Sequence, residues 1–359
     1  MQKIKSLESL RGLCAIIVVL YHFGFTSTSI ITNNLFIENG FYFVDFFFVL
    51  SGFVIYKNYV NYFDTLKSIF FFQAKRFFRL YPLHIFVLFF FVIIEFLKLF
   101  LELKFDIIAN NPAFSSNNLQ AFIHNLFLTH GFLENFVTFN SPSWSISTEF
   151  YTYFIFALTT FFIKKKYLQI SLLIIFTCGI ILYLKSGHQA TAGYLAILRC
   201  MYAFFLGSLI NLFIKKEYEI NSLFLFIFLI IIIFSVCFSK INFEFMIPIL
   251  FSIFIFLILT TKENSILKIL NKNYLVFLGK ISYGIYMIHS LVWWGIRQIL
   301  RFIFKIESTS IDGNVLLILN EHQSLICIII GLFLTIFLAS MLYKYIEKPF
   351  INYAKKSFI

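Results

Sequence analysis

The stretch SLESLRGLCAIIVVLYHFGF, residues 6–25, has the apolar character of a membrane helix, yet it contains an arginine and a histidine. His22 follows Arg11 by eleven residues. In an α-helix this interval is three turns plus about 20°, with a rise of about 16 Å, so both side chains lie on one face. Membrane anchoring would explain Arg11, and a bond between helices would explain His22. An ionisable group at that depth is also a candidate for function.

The composition predicts an all-α polytopic membrane protein. Of the 359 residues, 60% are hydrophobic and only 13% are charged, which is far more apolar surface than one water-soluble core needs. We expect a single integral-membrane domain over residues 1–359 without an appended soluble domain. Windows of about 20 apolar residues predict ten transmembrane helices, at 10–30, 40–60, 83–101, 144–163, 167–184, 193–214, 221–239, 243–260, 274–300 and 323–345.

The basic residues indicate which side of the membrane each loop occupies. Most of the 29 lysines and arginines fall in segments on the same side as the N-terminus, so both termini are predicted to be cytoplasmic. Topology and contact with anionic lipid then explain the net charge of +12, and no nucleic-acid partner is expected. The five cysteines lie in apolar stretches without ligand spacing, so neither disulfides nor a metal site is predicted.

Charged residues near the second and third spans have two interpretations each. Asp45 could orient or charge-stabilise a histidine, or it could simply reach water near the outer interface. Lys75, Arg76 and Arg79 precede the third span as a cationic cluster at the cytoplasmic surface. Phospholipid headgroups or a soluble phosphorylated ligand would suit this cluster, because arginine offers forked donors to phosphate.

Polar residues in later spans are also candidates. Ser145 and Glu149 are four residues apart and face the same way; they could contact each other, or Glu149 could bind a hydroxyl substrate or tune a proton relay. Glu347, in YIEKPF at the inner surface, is predicted to pair with Arg76 or Arg79 as a structural contact. Residues 118–131 are too short to span easily, which indicates an interfacial or re-entrant helix.

The ninth predicted span, FLGKISYGIYMIHSLVWW, carries polar groups at helical spacing. Ser282, Tyr286 and His289 could line one interior cavity. Packing or an aromatic belt would equally explain Tyr283 and His289.

Six segments, in order, resemble the signatures of the acyltransferase 3 family of bacterial membrane O-acyltransferases. They are LRGLCAIIVVLYH, FFFVLSGF, KRFFRLYP, SWSISTEFY, LGKISYGIYMIH and YIEKPF. The first resembles the family's arginine, ten residues, histidine pattern, and the resemblance covers residues 10 to about 350. The fourth departs from the family, since Thr148 stands where an acidic residue often precedes Glu149.

The resemblance implies a membrane O-acyltransferase of the bacterial cytoplasmic (inner) membrane. Its donor would be acetyl-CoA or another acyl-CoA acting as co-substrate, with no bound cofactor. Its acceptor would be a hydroxyl of surface polysaccharide, lipopolysaccharide O-antigen or lipid-linked sugar. Membrane lipid and glycan-assembly proteins are further expected partners.

The roles implied for individual residues follow from that reaction. His22 would act as general base or as transient acyl carrier, two roles that spacing does not separate, with Asp45 or Glu149 orienting it or the acceptor. Arg11 and the Lys75–Arg79 cluster would hold CoA. The expected acceptor site comprises Trp144, Ser145, Ser147, Tyr283, Tyr286 and His289.

Two other classes of protein would share many of these features. A transporter or flippase for a glycan or a lipid-linked sugar would also carry ionisable residues within its spans, although the sequence shows no evident inverted repeat. A non-catalytic scaffold for glycan assembly would place no chemical demand on His22.

Overall fold

The structure of the protein is a computed structural model that describes residues 2–27, 29–107, 110–239, 243–311 and 314–358. Residue 28, which falls in the first predicted span, lies outside the described residues. Helices form most of the described chain. In order they are α1 (Gln2–Phe23), α2 (Leu35–Glu38), α3 (Phe43–Tyr59), α4 (Leu66–Phe105), α5 (Leu119–Leu126), α6 (His130–Leu133), α7 (Trp144–Ile163), α8 (Tyr167–Leu184), α9 (Gly193–Phe213), α10 (Ser222–Cys237), α11 (Met246–Thr260), α12 (Ser265–Leu270), α13 (Asn273–Lys280), α14 (Ser282–Phe302), α15 (Glu321–Leu342) and α16 (Lys348–Ser357).

Each predicted span overlaps a helix or a helix pair, but α1 begins at Gln2 and ends at Phe23, seven residues before the end of the predicted span 10–30. Within the described residues, six helical segments are long and apolar enough to cross a membrane, and one of them, Ser141–Leu184, contains both α7 and α8. The pair α13 and α14 would be a seventh, bent by 67° at Ile281. Two further helices, α10 and α11, are apolar but shorter. The protein is therefore a polytopic, nearly all-helical membrane protein.

The described chain also contains a β-hairpin, which the all-α prediction did not include. Strands β1 (Ser308–Ile311) and β2 (Asn314–Leu317) pair antiparallel between α14 and α15. The backbone of Leu317 donates to the carbonyl of Thr26 at 2.9 Å. This contact ties the hairpin to the end of α1.

Helix α4 begins much earlier than the span predicted at 83–101. Thr65 caps its first turn in a reciprocal capping box with Ser68, and the helix continues for 40 residues through Pro82. At 1.5 Å per residue it is about 60 Å long, twice the hydrocarbon thickness of a bilayer. The cationic cluster at 75–79 therefore lies on a helix rather than in a loop.

Helices α3 and α9 pack with their backbones in contact. A Cβ atom on Gly52 would lie within 1.9 Å of the carbonyl oxygen of Phe204, and one on Gly207 within 1.8 Å of that of Val49. Only glycine permits such an approach, and small residues are the usual means of bringing helices together in a membrane. Gly52 and Gly207 thus let α3 and α9 pack directly against each other.

The segment at 118–131 forms two short helices rather than one. Helix α5 ends at Leu126, the backbone turns at Leu128 with φ of 54°, and α6 then packs against α7 and α9. The 2.8 Å hydrogen bond from the amide of Gly193 to the carbonyl of Glu134 holds the segment to the start of α9.

Candidate functional site

A cavity of about 120 Å³ lies between helices α1, α3, α4, α7 and α14. Along α3 its lining runs from Val44 to Ile55. These residues are eleven helical steps apart, which is a rise of about 16 Å. The wall combines apolar side chains with an unusual number of charged and hydroxyl groups. The polar lining residues are Arg11, Ser51, Arg76, Arg79, Ser145, Glu149, Tyr153, Ser282, Tyr283 and Tyr286.

Three arginines line the cavity. Arg76 donates to the hydroxyl of Tyr59 at 3.0 Å, and its guanidinium also lies over the rings of Tyr59 and Tyr153. Neither Arg11 nor Arg79 has a hydrogen-bond partner among the described residues. Two guanidinium groups with free donors in one cavity provide an anion-binding site.

The neighbouring lysine of the cationic cluster does not line this cavity. The ammonium group of Lys75 lies 5.3 Å from the ring centroid of Tyr62, on another face of α4. The structure therefore brings together Arg11, Arg76 and Arg79 of the predicted donor site and leaves Lys75 apart.

Glu149 lies beside the arginines and accepts a short hydrogen bond. The hydroxyl of Tyr153, one turn further along α7, donates to it at 2.6 Å. That hydroxyl is also 2.8 Å from Ser51 of α3. The suggested contact between Ser145 and Glu149 is wrong, since Ser145 binds elsewhere.

Hydroxyl groups of α14 and of the start of α7 also line the cavity. The Tyr286 hydroxyl is 2.8 Å from that of Ser145 and donates to the carbonyl of Pro142 at 2.9 Å. Tyr283 donates to the carbonyl of Leu80 at 2.6 Å. These bonds attach α14 to the start of α7 and to α4.

Two residues predicted for the acceptor site face away from the cavity. Ser147 donates to the carbonyl of Leu128 at 2.6 Å and accepts from the amide of Gly131 at 3.0 Å, so it fixes the turn between α5 and α6. The ring of Trp144 packs on Phe48 and on the guanidinium of Arg199.

His22 and His289 face each other. Their ring centroids are 4.7 Å apart with the planes inclined at 60°. Neither histidine lines the cavity. The ring centroid of His289 is, however, 6.0 Å from that of Tyr286, which lines the cavity. His289 thus belongs to a histidine pair rather than to the cavity wall where the acceptor was expected.

Asp45 binds an arginine that the sequence analysis did not single out. Arg199 of α9 donates from Nε and from Nη2 to the two carboxylate oxygens, each at 2.9 Å. Both side chains are 2% exposed. Among the described residues, Asp45 is thus bonded to this arginine and not to a histidine. A buried charge requires a partner of opposite sign.

Glu347 does not form the predicted ion pair with Arg76 or Arg79. It is buried at the end of a π-helical turn, Tyr343–Glu347, and its Oε1 has no hydrogen-bond partner among the described residues. Arg79 and Arg11 are close enough to interact with it electrostatically. Glu347 thus lies near the arginines without a direct bond.

The sequence model of an acyltransferase domain, that of the acyltransferase 3 family, matches residues 4–345. The chain belongs to the acyltransferase 3 family. This membership makes the protein a membrane acyltransferase and confirms the resemblance seen in the six motifs. Comparison with curated proteins and with solved structures gives no significant match.

In this acyltransferase 3 protein, sequence reasoning missed Arg199, Tyr153 and Ser51. Arg199 could have been found from its positive charge. A basic residue within an apolar span needs an acidic partner, and Asp45 is an acidic residue in another span. Tyr153 follows Glu149 by four residues, which is contact spacing on a helix. Ser51 could be found only from the packing of α3 against α7.

Proposed function

We propose that the protein transfers an acyl group, most often acetyl, from cytoplasmic acyl-CoA to a hydroxyl of a carbohydrate outside the bacterial cytoplasmic membrane. The observation that carries this proposal is a cavity whose wall combines three arginines with the hydroxyl groups of serines and tyrosines. A charged donor and an acceptor on opposite sides require a reaction centre at membrane depth, and the cavity extends along about 16 Å of α3.

Arg11, Arg76 and Arg79 are suited to bind the phosphates of CoA. The cavity of about 120 Å³ is smaller than the roughly 300–1,000 Å³ of sites that enclose a drug-sized ligand. Only the acyl end of the pantetheine arm would enter, while the nucleotide would stay at the cytoplasmic mouth. Glu149 would keep the arginines and the Tyr153 hydroxyl oriented around that arm.

His22 would supply the chemistry. Its Nδ1 lies 2.9 Å from the carbonyl oxygen of Val18, and a carbonyl can only accept, so Nδ1 carries the proton and Nε2 carries the lone pair. A lone pair on Nε2 can take a proton from the acceptor hydroxyl or attack the thioester. Tyr286, which touches both the cavity wall and His289, would have to shift to admit the acyl group.

The ten spans with cytoplasmic termini that we propose require successive helices to alternate in direction, and α7, α8 and α9 do so. Helices α7 and α9 run parallel, and α8 and α9 run antiparallel. The chain therefore reverses its direction at Lys164–Lys166, between α7 and α8. A basic turn is typical of the cytoplasmic side. The contacts that define these directions are Thr152–Cys200, Phe156–Phe204, Tyr167–Ser208 and Gly179–Tyr202.

The test is mass spectrometry of surface glycan from cells with and without the gene. Loss of an acyl mass increment that mild base removes would identify acyl group and acceptor together. Complementation with His22→Ala at equal protein level should fail to restore the increment, whereas His84→Ala, a buried histidine outside the site, should restore it. Retained acylation with His22→Ala would refute the role of His22, and loss of glycan export irrespective of acyl-CoA would indicate a transporter.

A further inference from the structure

The second histidine of the pair is held in the same way as the first. His289 Nδ1 lies 3.2 Å from the carbonyl oxygen of Ile285, one turn back on α14, just as His22 Nδ1 lies near Val18. Each Nδ1 therefore carries a proton and each Nε2 a lone pair. The Nε2 of His289 is buried and has no hydrogen-bond partner among the described residues.

This arrangement excludes a relay of protons through either ring. Such a relay takes a proton in at one ring nitrogen and releases it from the other, but both Nδ1 atoms are bonded to backbone carbonyls. The pair offers two separate lone pairs in one place. Leaving a buried nitrogen without a partner is unfavourable, which favours a functional explanation for the second lone pair.

We infer that the two histidines divide the reaction, with His22 carrying the acyl group and His289 acting as the base toward the acceptor hydroxyl. His22 is the half-buried member and shares its helix with Arg11 of the donor site, while His289 is fully buried beside Tyr286. This inference rests on the proposed function and assigns its two chemical roles to two residues.

The steps balance. Nε2 of His22 attacks the thioester carbonyl, the C–N bond forms as the C–S bond breaks, and CoA leaves as the thiolate. The acceptor oxygen then attacks the acyl carbon, the O–C bond forms, and the C–N bond breaks to return neutral His22. The acceptor proton moves to Nε2 of His289, which later releases it to water, and the CoA thiolate takes up a proton from water.

The experiment uses the purified full-length protein and radiolabelled acetyl-CoA as the probe. Wild type, His289→Ala and His289→Asn should each acquire about one label per chain, and His22→Ala should acquire none. Labelling itself reports that a variant is folded. Hydroxylamine, a nucleophile that needs no protein base, should remove the label from all labelled forms.

The decisive step is a chase with membranes from cells lacking the gene, which supply the native acceptor. Wild type and the control His84→Ala should pass their label to membrane glycan, while both His289 variants should transfer it about 10²- to 10⁴-fold more slowly. Transfer by a His289 variant at the wild-type rate would overturn the inference, as would acylated glycan from wild type that never carries label. Failure of wild type both to label and to acylate would instead refute the proposed function.

Discussion

The buried ion pair of Asp45 and Arg199 makes a prediction about stability. In Asp45→Asn the amide oxygen can accept from one arginine nitrogen, but the amide nitrogen then faces a second donor. Arg199 would keep that bond and its bonds to the carbonyls of Ala190 and Phe41, at 3.2 and 3.3 Å, but its charge would be uncompensated. Breaking a buried pair in this way costs about 3–5 kcal/mol. At about 2 °C per kcal/mol for a chain of this size, the unfolding temperature should fall by about 6–10 °C.

Thermal unfolding in detergent can be followed with a thiol-reactive dye, because Cys14, Cys178, Cys200 and Cys327 are all buried. The double variant Asp45→Asn/Arg199→Gln removes both charges and should recover part of the loss. Removing the exposed pair of Lys262 and Glu219, whose side chains are 54% and 81% exposed, should leave the unfolding temperature unchanged. A single variant as stable as wild type, or a double variant that loses the sum of the two single losses, would refute the reasoning.

Three further predictions concern packing, donor binding and pH. Gly52→Ala should separate α3 from α9 and lower the unfolding temperature, because the new methyl group meets the backbone of Phe204; an unchanged temperature would contradict the contact. Arg79→Ala should raise the KM for acetyl-CoA about 10- to 100-fold, the value of one charge-assisted hydrogen bond, whereas Lys75→Ala, outside the cavity, should leave it unchanged. Burial, with a smaller effect of nearby His84, lowers the pKa of His130 to about 3. Between about pH 6.5 and pH 3 the unfolded chain therefore binds a proton at His130 that the folded chain does not bind. Unfolding temperature should therefore fall between pH 6.5 and 3, and less steeply in His130→Gln; equal slopes would show that His130 does not contribute.

Hydropathy predicts the helices well because lipid demands long apolar runs with internally satisfied backbones. It does not predict that α4 extends back to Leu66, since the added turns are amphipathic and are stabilised by packing against α16 and α7. The hairpin between α14 and α15 was also missed, because its strands are only four residues long.

The candidate site was predictable only where its residues share a helix. Helical spacing relates His22 to Arg11 on α1 and Arg79 to Arg76 on α4. The pairs of Asp45 with Arg199, and of His22 with His289, join residues more than 150 positions apart. Spacing carries no information on such contacts.

The close approach of α3 and α9 at Gly52 and Gly207 restricts which parts of the bundle can move. Backbones in such close contact cannot slide past one another without collision, and the ion pair of Asp45 and Arg199 joins the same two helices nearer their N-terminal ends. Helices α3 and α9 therefore act as a fixed wall. Any movement that joins the cavity to His22 would therefore have to come from α13 and α14, which are bent by 67° at Ile281 and which carry Tyr286 next to His289.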